Sequence, residues 1–370
     1  MKSLVRALGA LVVITASASS ASAQTQGWPN RPIRMVVPYT PGGYTDMMAR
    51  LVSEKVAASL GQSIVIENKP GANAAIGTDT VAKAAPDGYT FGTVIAAHSV
   101  NPSLKANLPY NTEKDFTYVS LMSVAPLIIV ATPSLPAKNM QELIALAKAK
   151  PGQLNFASSG IGSAAHLTME MLKSREGINL QHVPYKGTAG ALQDLVGGQI
   201  NVMFDIIGPL MEQVRAGNAR ALGVAAKERV PAAGDTPTLI EQGVKDFTSG
   251  TWAGIVAPAG VPKEIVDRMS AEAKKALADP DLRKKLEQQG IVAMGTSPEE
   301  FKAFVGEEIA RWKQVITAAD IKVEERLKGG RCKSAALYTF YLLASFNLVP
   351  CGVASLAAPR KQARLTAFPA

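Results

Sequence analysis

Residues Val36-Val37-Pro38-Tyr39-Thr40-Pro41-Gly42-Gly43-Tyr44-Thr45-Asp46 decide how the rest of this chain is read. Ile33, Met35 and Val37 begin an apolar run that stops at Pro38, and a helical pattern opens at Thr45 or Asp46. The stretch therefore reads as a strand, a tight loop and a helix start. Two adjacent glycines let the backbone take positive φ and let a ligand approach with no Cβ in the way. The first amides of the helix lack partners within it, and with the positive end of the helix dipole they favour an anion. Taken alone, the loop fits a plain strand-to-helix turn as well as it fits a ligand cradle.

Outward from this loop, strand-like and helix-like stretches alternate. The helix runs from about Thr45 to Leu60, with Met48, Leu51, Val52, Val56 and Leu60 at spacings of three or four, and Gly61 stops it. Ile64–Ile66 reads as a short buried strand. A turn-rich loop, Glu67–Asn73, leads into a small-residue helix over 74–85, and after Pro86-Asp87-Gly88 a strand covers 89–96. Three strand-then-helix successions predict a parallel sheet with helices on its faces. The stretch 116–130 is extended but holds Pro126, which donates nothing to a ladder, and so suits a strand that leaves one domain and enters another.

A helix over 139–150 and a strand over 154–157 follow. Ser158-Ser159-Gly160-Ile161-Gly162-Ser163 is then a second small-residue loop, opening a helix that carries His166, Leu167, Met169, Met171 and Leu172. Strand 180–183 runs into a third such loop, Pro184-Tyr185-Lys186-Gly187-Thr188. Strand 201–204 ends at Asp205, strand 220–225 follows, and 231–237 is a connector. Strand 252–258 is expected to return to the first domain. The last third is helical, over 262–278, 280–289 and a long final helix opened by Ser297-Pro298-Glu299-Glu300 as N-cap, first-turn proline and capping box. Its stripe of Phe301, Phe304, Val305, Ile309, Trp312, Val315 and Ile316 reads as core, because the opposite face is charged.

Composition narrows the function. Lys2 and Arg6, the apolar run Leu8–Ile14 and the small residues Ala21-Ser22-Ala23 fit a secretory signal over residues 1–23, so the mature chain is expected in the periplasm of a two-membrane bacterium. The net charge of +9 suggests a polyanion partner. Yet two basic residues lie in that signal, and seven lie from Arg326 onward with no acidic one, which leaves the body from Gln24 to Glu325 neutral. Nucleic acid is therefore not an expected partner. Both cysteines, Cys332 and Cys351, also lie in that last segment, so the body has no thiol nucleophile and no cysteine-based zinc site. The segment 326–370 breaks in composition from the body and reads as an atypical extension rather than a membrane anchor.

Enzyme signatures are thin. There is no GxSxG elbow, no GxxxxGK[ST] loop and no HExxH, and Gly160-Ile161-Gly162 lacks the third glycine of a dinucleotide fingerprint. The three histidines, His98, His166 and His182, are scattered, so no metal is expected. Asp46, Asp205 and Tyr185 supply an acid/base set in principle, though carboxylates near strand ends more often cap loops or hold a ligand's polar group. What the chain does have is a set of Gly-, Ser- and Thr-rich loops opening helices at strand ends, where open α/β sheets bind ligands. Two such domains facing one another would bring several loops to one cleft, with a small anion as its natural occupant.

These residues resemble the substrate-binding proteins of tripartite tricarboxylate transporters, the Bug receptors. The likeness is carried by Trp28-Pro29 with Arg31-Pro32-Ile33, Val37-Pro38 through Pro41-Gly42-Gly43 to Asp46, and Glu67-Asn68-Lys69-Pro70-Gly71. Further along it is carried by Ala84–Thr90, Asn101-Pro102, Val183–Gly187 and Trp252–Pro258. The resemblance implies a two-domain α/β periplasmic binding protein fold of type II, each domain a mostly parallel sheet flanked by helices, with the ligand in the cleft between them. Residues 28–125 with 226–325 are expected to form domain 1, and 126–225 domain 2.

The implied function is capture of a small carboxylate by domain closure and its delivery to membrane permease subunits, by a monomer with no cofactor. Tyr39, Pro41, Gly42, Gly43, Tyr44, Thr45 and Asp46 are expected on one wall of the pocket, with Ala97 and His98 on a second loop. Ser159, Gly160, Gly162, Ser163 and His166 face them from the other domain, and Tyr185, Lys186, Gly187, Thr188 and Asp205 complete the site. Two other readings share the cleft: an exported hydrolase or isomerase with Asp46 or Asp205 as base, and a ligand-sensing partner of a membrane kinase.

Overall fold

The computed structural model describes residues 27–185, 187–318 and 321. The expected signal segment 1–23, Lys186 and the extension 326–370 lie outside the described residues.

Strands β1 (Ile33–Val37), β2 (Ile64–Asn68) and β3 (Thr90–Ile95) are each followed by a helix: α1 (Tyr44–Leu60), α2 (Ala75–Ala82) and α3 (Ala97–Leu104). β1 lies between β2 and β3 and is parallel to both. Ile33, Met35, Val36 and Val37 are all buried, as expected of a central strand with helices on both faces. α1 turns Met48, Val52 and Val56 inward and ends at Gly61 in a left-handed C-cap.

β4 (Phe116–Ala131) runs through both halves of the molecule. Its first part pairs antiparallel with β9 (Gly250–Pro258), which also pairs with β3, and with the two-residue β10 (Val292–Ala293). Its second part, from Leu127 or Ile128 to Ala131, pairs antiparallel with β7 (Val202–Ile206) and β8 (Arg220–Val224). The hand-over falls at Pro126, which faces Gly250 at the end of β9 pairing. A proline has no amide hydrogen for the ladder, so the change of partner occurs where a donor is already missing. At Gly250 a Cβ would lie 2.7 Å from the Ala125 carbonyl oxygen, so the two crossing strands approach this closely only with glycine.

The second half repeats the first. After α4 (Met140–Ala149), β5 (Asn155–Ser158) leads to α5 (Ala164–Glu176) and β6 (Gln181–Pro184) to α6 (Thr188–Val196), while β7 leads to α7 (Ile207–Arg215). β5 lies between β6 and β7, parallel to both, so the order β6-β5-β7 matches β2-β1-β3. The segment after β8, which includes a short 3-10 turn at Pro231–Ala233, stays on this half. Val224 N donates to Pro237 O, Leu239 N to Val224 O and Ser249 N to Ala225 O, and Phe247 stacks on Phe204 at 6.4 Å. Sheet pairing thus returns to the first half at Gly250, further along the chain than the 225/226 limit read from the sequence.

Three helices finish the body: α8 (Lys263–Ala278), α9 (Pro280–Gln288) and α10 (Pro298–Ala318). The capping box is formed, with Glu300 N donating to Ser297 Oγ and Ser297 N to Glu300 Oε2. Phe301, Val305, Trp312 and Ile316 are buried, and the Glu308 carboxylate between them accepts both indole N–H groups, from Trp252 at 3.2 Å and Trp312 at 2.8 Å. Trp312 and Ile316 meet Val100 and Leu104 of α3 together with Leu167 of α5, so α10 touches both halves.

Candidate functional site

A ligand crevice in an open α/β sheet lies beyond the carboxyl ends of the strands, where chain connections leave to opposite sides. In this fold those points are the ends of β1, flanked by β2 and β3, and of β5, flanked by β6 and β7. Loop 38–43 follows β1, loop 159–163 follows β5, and residues 185–187 follow β6.

In the first loop Gly43 is the N-cap of α1 and offers no side-chain cap, which leaves the amides of Tyr44 and Thr45 without a helical partner. Pro41, Gly42 and Gly43 are exposed, and Gly42 takes φ 86°. Asp46 holds this loop rather than facing an open cleft. Its carboxylate, 3% exposed, accepts from Gly42 N at 3.0 Å, Arg50 Nε at 2.9 Å and Asn68 Nδ2 at 2.9 Å. Burial pushes its pKa up, but the bonds from Arg50, Gly42 and Asn68 outweigh that and keep it below the usual carboxylate value. Asn68 Nδ2 also donates to the Tyr39 carbonyl at 2.9 Å. Tyr39 is half-buried, and burial followed by the nearby Tyr110 raises its hydroxyl pKa. Tyr44 is anchored by its hydroxyl to Ser123 Oγ of β4 at 2.9 Å, and Thr45 is buried.

Ala97 and His98 lie in the first turn of α3 rather than on a loop, since Val100 N already bonds to Ala96 O. Both are buried. The His98 ring sits among Phe116, edge-on at 4.9 Å, Tyr110 at 6.1 Å and Tyr118 at 6.2 Å. Burial lowers its pKa to about 3, so the ring is neutral, and its Nδ1 has no protein partner.

In the second half, Ser163 Oγ caps α5 by accepting from His166 N at 3.2 Å, and Gly162 N donates to His166 Nδ1 at 3.2 Å. That bond requires a neutral ring with Nδ1 unprotonated. His166 stacks on His182 at 4.0 Å, and His182 on Phe156 at 4.8 Å. Burial, then the neighbouring His182 and Lys173 charges, takes His166 to about 3, while burial and then Lys173 take His182 to about 4. Ser159 and Gly160 are half-buried. Ser158 Oγ is 2.7 Å from His182 Nε2, a nucleophile-to-base separation, but Ser158 is wholly buried and its hydroxyl is also engaged with Gly160.

The third loop ends in another glycine N-cap, Gly187, at the head of α6 and again without a side-chain cap. Thr188 Oγ1 donates to Asp205 Oδ2 at 2.7 Å and Ile206 N to Asp205 Oδ1 at 2.8 Å. Burial nonetheless raises the Asp205 pKa, with those two bonds working against it. The Tyr185 hydroxyl donates to Asp194, and its pKa is pushed up to about 12 by burial and then by that carboxylate. Among the described residues no cluster of three or more His, Cys, Asp or Glu is placed to hold a metal ion.

Sequence reading missed Asn68, which fastens the first loop from β2, and Asn73 and Asn101, which hold the turn beside it. Asn68 stands in the turn-rich Glu67–Asn73 stretch, but nothing in that stretch points to a partner on α1.

Two lobes of matching strand order, joined where β4 and β9 cross and carrying open helix N-termini at their strand ends, have the architecture of the two-domain periplasmic binding protein fold. The chain belongs to the tripartite tricarboxylate transporter receptor family, whose profile matches residues 48–321. Among solved structures it is similar to the periplasmic binding protein BugD, with 37% identity and a TM-score of 0.74 over 80% of this chain and 99% of that one. It is similar to Rpa4515 of R. palustris, solved with adipate, at 35% identity and a TM-score of 0.76 over 80% and 99% of the two chains. The third is MatC of Rhodopseudomonas palustris with bound malate, at 35% identity and 0.73 over 78% and 100%.

Proposed function

We propose that this chain is an exported receptor that captures a small carboxylate, whether a dicarboxylate, a carboxylic amino acid or an aromatic acid. The two lobes close on the acid, and the protein passes it to the membrane permease of a tripartite tricarboxylate-type transporter. The observation that carries the reading is the pair of glycine N-caps, Gly43 and Gly187, which leave helix amides unspent at strand ends on both lobes. The adipate and malate held by two relatives are ligands of that chemical class. Closure would bend the molecule at Ala125–Leu127 and Ser249–Gly250, the crossing strands. Domain 1 is then residues 28–125 plus the return from Gly250 onward.

Export rests on the signal read at residues 1–23, and a periplasmic location suits a relative described as periplasmic. Among the described residues no helix is long and apolar enough to cross a membrane. The protein acts without turnover in this proposal. Asp46 already accepts three hydrogen bonds and Asp205 two, which argues against either as a free base. A thermal-melt panel of mono-, di- and aromatic carboxylates at millimolar concentration tests the reading, since binding to the folded state raises the melting temperature. At least one acid is expected to do so. No shift with any of them refutes the proposal, and turnover of a bound acid that Asp205→Asn abolishes would replace it with an enzyme.

A further inference from the structure

Four consecutive residues after β2, Gly71, Ala72, Asn73 and Ala74, have φ of 134°, 50°, 51° and 70°. Three of them carry a Cβ, and left-handed backbone is unfavourable for such residues. The only other non-glycine among the described residues with positive φ is Asp246. The turn is held in place by α3: Lys105 Nζ, at the C-cap, donates to the Ala72 carbonyl, Asn101 Nδ2 to the Asn73 carbonyl at 2.9 Å, and Asn73 Nδ2 to Asn101 Oδ1 at 3.1 Å. Asn101 is wholly buried, so its two bonds to Asn73 are shielded from water.

Against this turn lies Gly162 of the second lobe. A Cβ built there would come within 3.0 Å of Asn73 Nδ2, 2.6 Å of Leu104 Cδ1 and 3.7 Å of Val100 Cγ1. Gly162 belongs to the loop that opens α5, and its own amide is tied to His166 Nδ1. Backbone strain persists where the surroundings over-determine it, and it collects where position matters. We infer that Asn73 is a positioning residue: locked by Asn101, it forms the first-lobe seat on which Gly162 and the 159–163 loop rest. The consequence for ligand affinity rests on the receptor function proposed above.

Native-state hydrogen exchange of the full chain, read at the amides of residues 159–163, tests the seat without any ligand. Asn73→Gly suits left-handed backbone and so keeps the turn while deleting the amide. Asn101→Ala removes both bonds from the helix side, whereas Asn73→Gly removes only the one its own amide donates. Both should speed exchange at Gly162 by about tenfold, the equivalent of one or two hydrogen bonds, with β5 unchanged. Any acid that raises the melting temperature of the wild type should bind both variants about tenfold more weakly. Unchanged exchange at Gly162 overturns the inference, as does faster exchange with unchanged affinity for such an acid. If no acid binds the wild type, the receptor reading fails while the exchange result still decides the seat.

Discussion

A drop from pH 7 to pH 5 should weaken this fold by about 4 kcal/mol, chiefly through two buried rings. His98 is 2% exposed inside its aromatic enclosure and His166 is 5% exposed between Phe156, His182 and the Gly162 amide. Burial first, joined at His166 by the His182 and Lys173 charges, takes both to about 3. An unfolded histidine titrates near ~6.5. Between those values the unfolded chain binds more protons than the folded one, so stability is complete above pH 6.5 and declines as pH falls. At pH 5 the solution lies about 1.5 pH units below the unfolded value, and at about 1.4 kcal/mol per unit each ring costs about 2 kcal/mol.

His182, lowered to about 4 and only half-buried, adds a smaller share because water screens it. Asp46 and Glu67 are held below the ordinary carboxylate range, so their contributions are lost only at more acid pH and do not enter this window. Asp205, raised by burial, tempers the fall because its folded form keeps a proton more readily. Urea unfolding at pH 7, 6 and 5 and constant ionic strength measures the slope. A change below about 1 kcal/mol across that range would refute the argument that these rings are buried neutral. His98→Phe supplies the control. It should remove about 2 kcal/mol of the pH dependence and lower stability at pH 7 by no more than about 1 kcal/mol, because His98 Nδ1 has no bond to lose, the Nε2 contact with the Tyr118 hydroxyl is long at 3.5 Å, and Tyr118 keeps its bond to the Thr112 carbonyl.

Three further outcomes follow from buried contacts. Glu308→Ala leaves the indole N–H groups of Trp252 and Trp312 without their acceptor, and urea unfolding should show a loss of about 3 kcal/mol or more. Gly254→Ala places a Cβ 2.1 Å from Phe301 Cζ, so the α10 contact with β9 must shift at a cost of about 1–3 kcal/mol by the same assay. Asp46→Ala frees Gly42 N, Arg50 and Asn68 Nδ2 together, and should cost about 2 kcal/mol in the melt and weaken any carboxylate that binds the wild type.

What was legible in the sequence divides by how far a residue's partner lies along the chain. The strand, loop and helix at 33–60 could be read because apolar spacing, two glycines and the stop at Gly61 are all local signals. Pro126 marked the crossing strand because a missing amide is a property of the residue itself, wherever its neighbours lie. The capping box at Ser297 and Glu300 spans three residues and is formed as read. His98 was different: its environment is set by Tyr110, Phe116 and Tyr118, which the sequence shows only as scattered aromatics. The stay of residues 226–249 on the second half depends on three backbone bonds to β8 and its end and on one ring contact, none of which leaves a periodic trace.

Asp46 shows the same division within one side chain, and its position explains why its bonds to the loop could not be read in full. Two of its donors, Gly42 N and Arg50 Nε, are four residues away on either side, a distance at which a helix start brings groups together, while the third, Asn68, comes from the next strand. A carboxylate at the head of a helix satisfies the dipole whether or not a ligand is present, so its residue type and place are equally good signs of a ligand contact and of a loop anchor. Only the count of donors separates the two, and here both oxygens are occupied. In the receptor proposed above, anion preference would then fall to the amides beyond Gly43 and Gly187, whose N-cap residues offer no side chain. A pocket built on such amides reads the presence of an acid through the backbone, and it leaves the choice among acids to the side chains that shape the space around it.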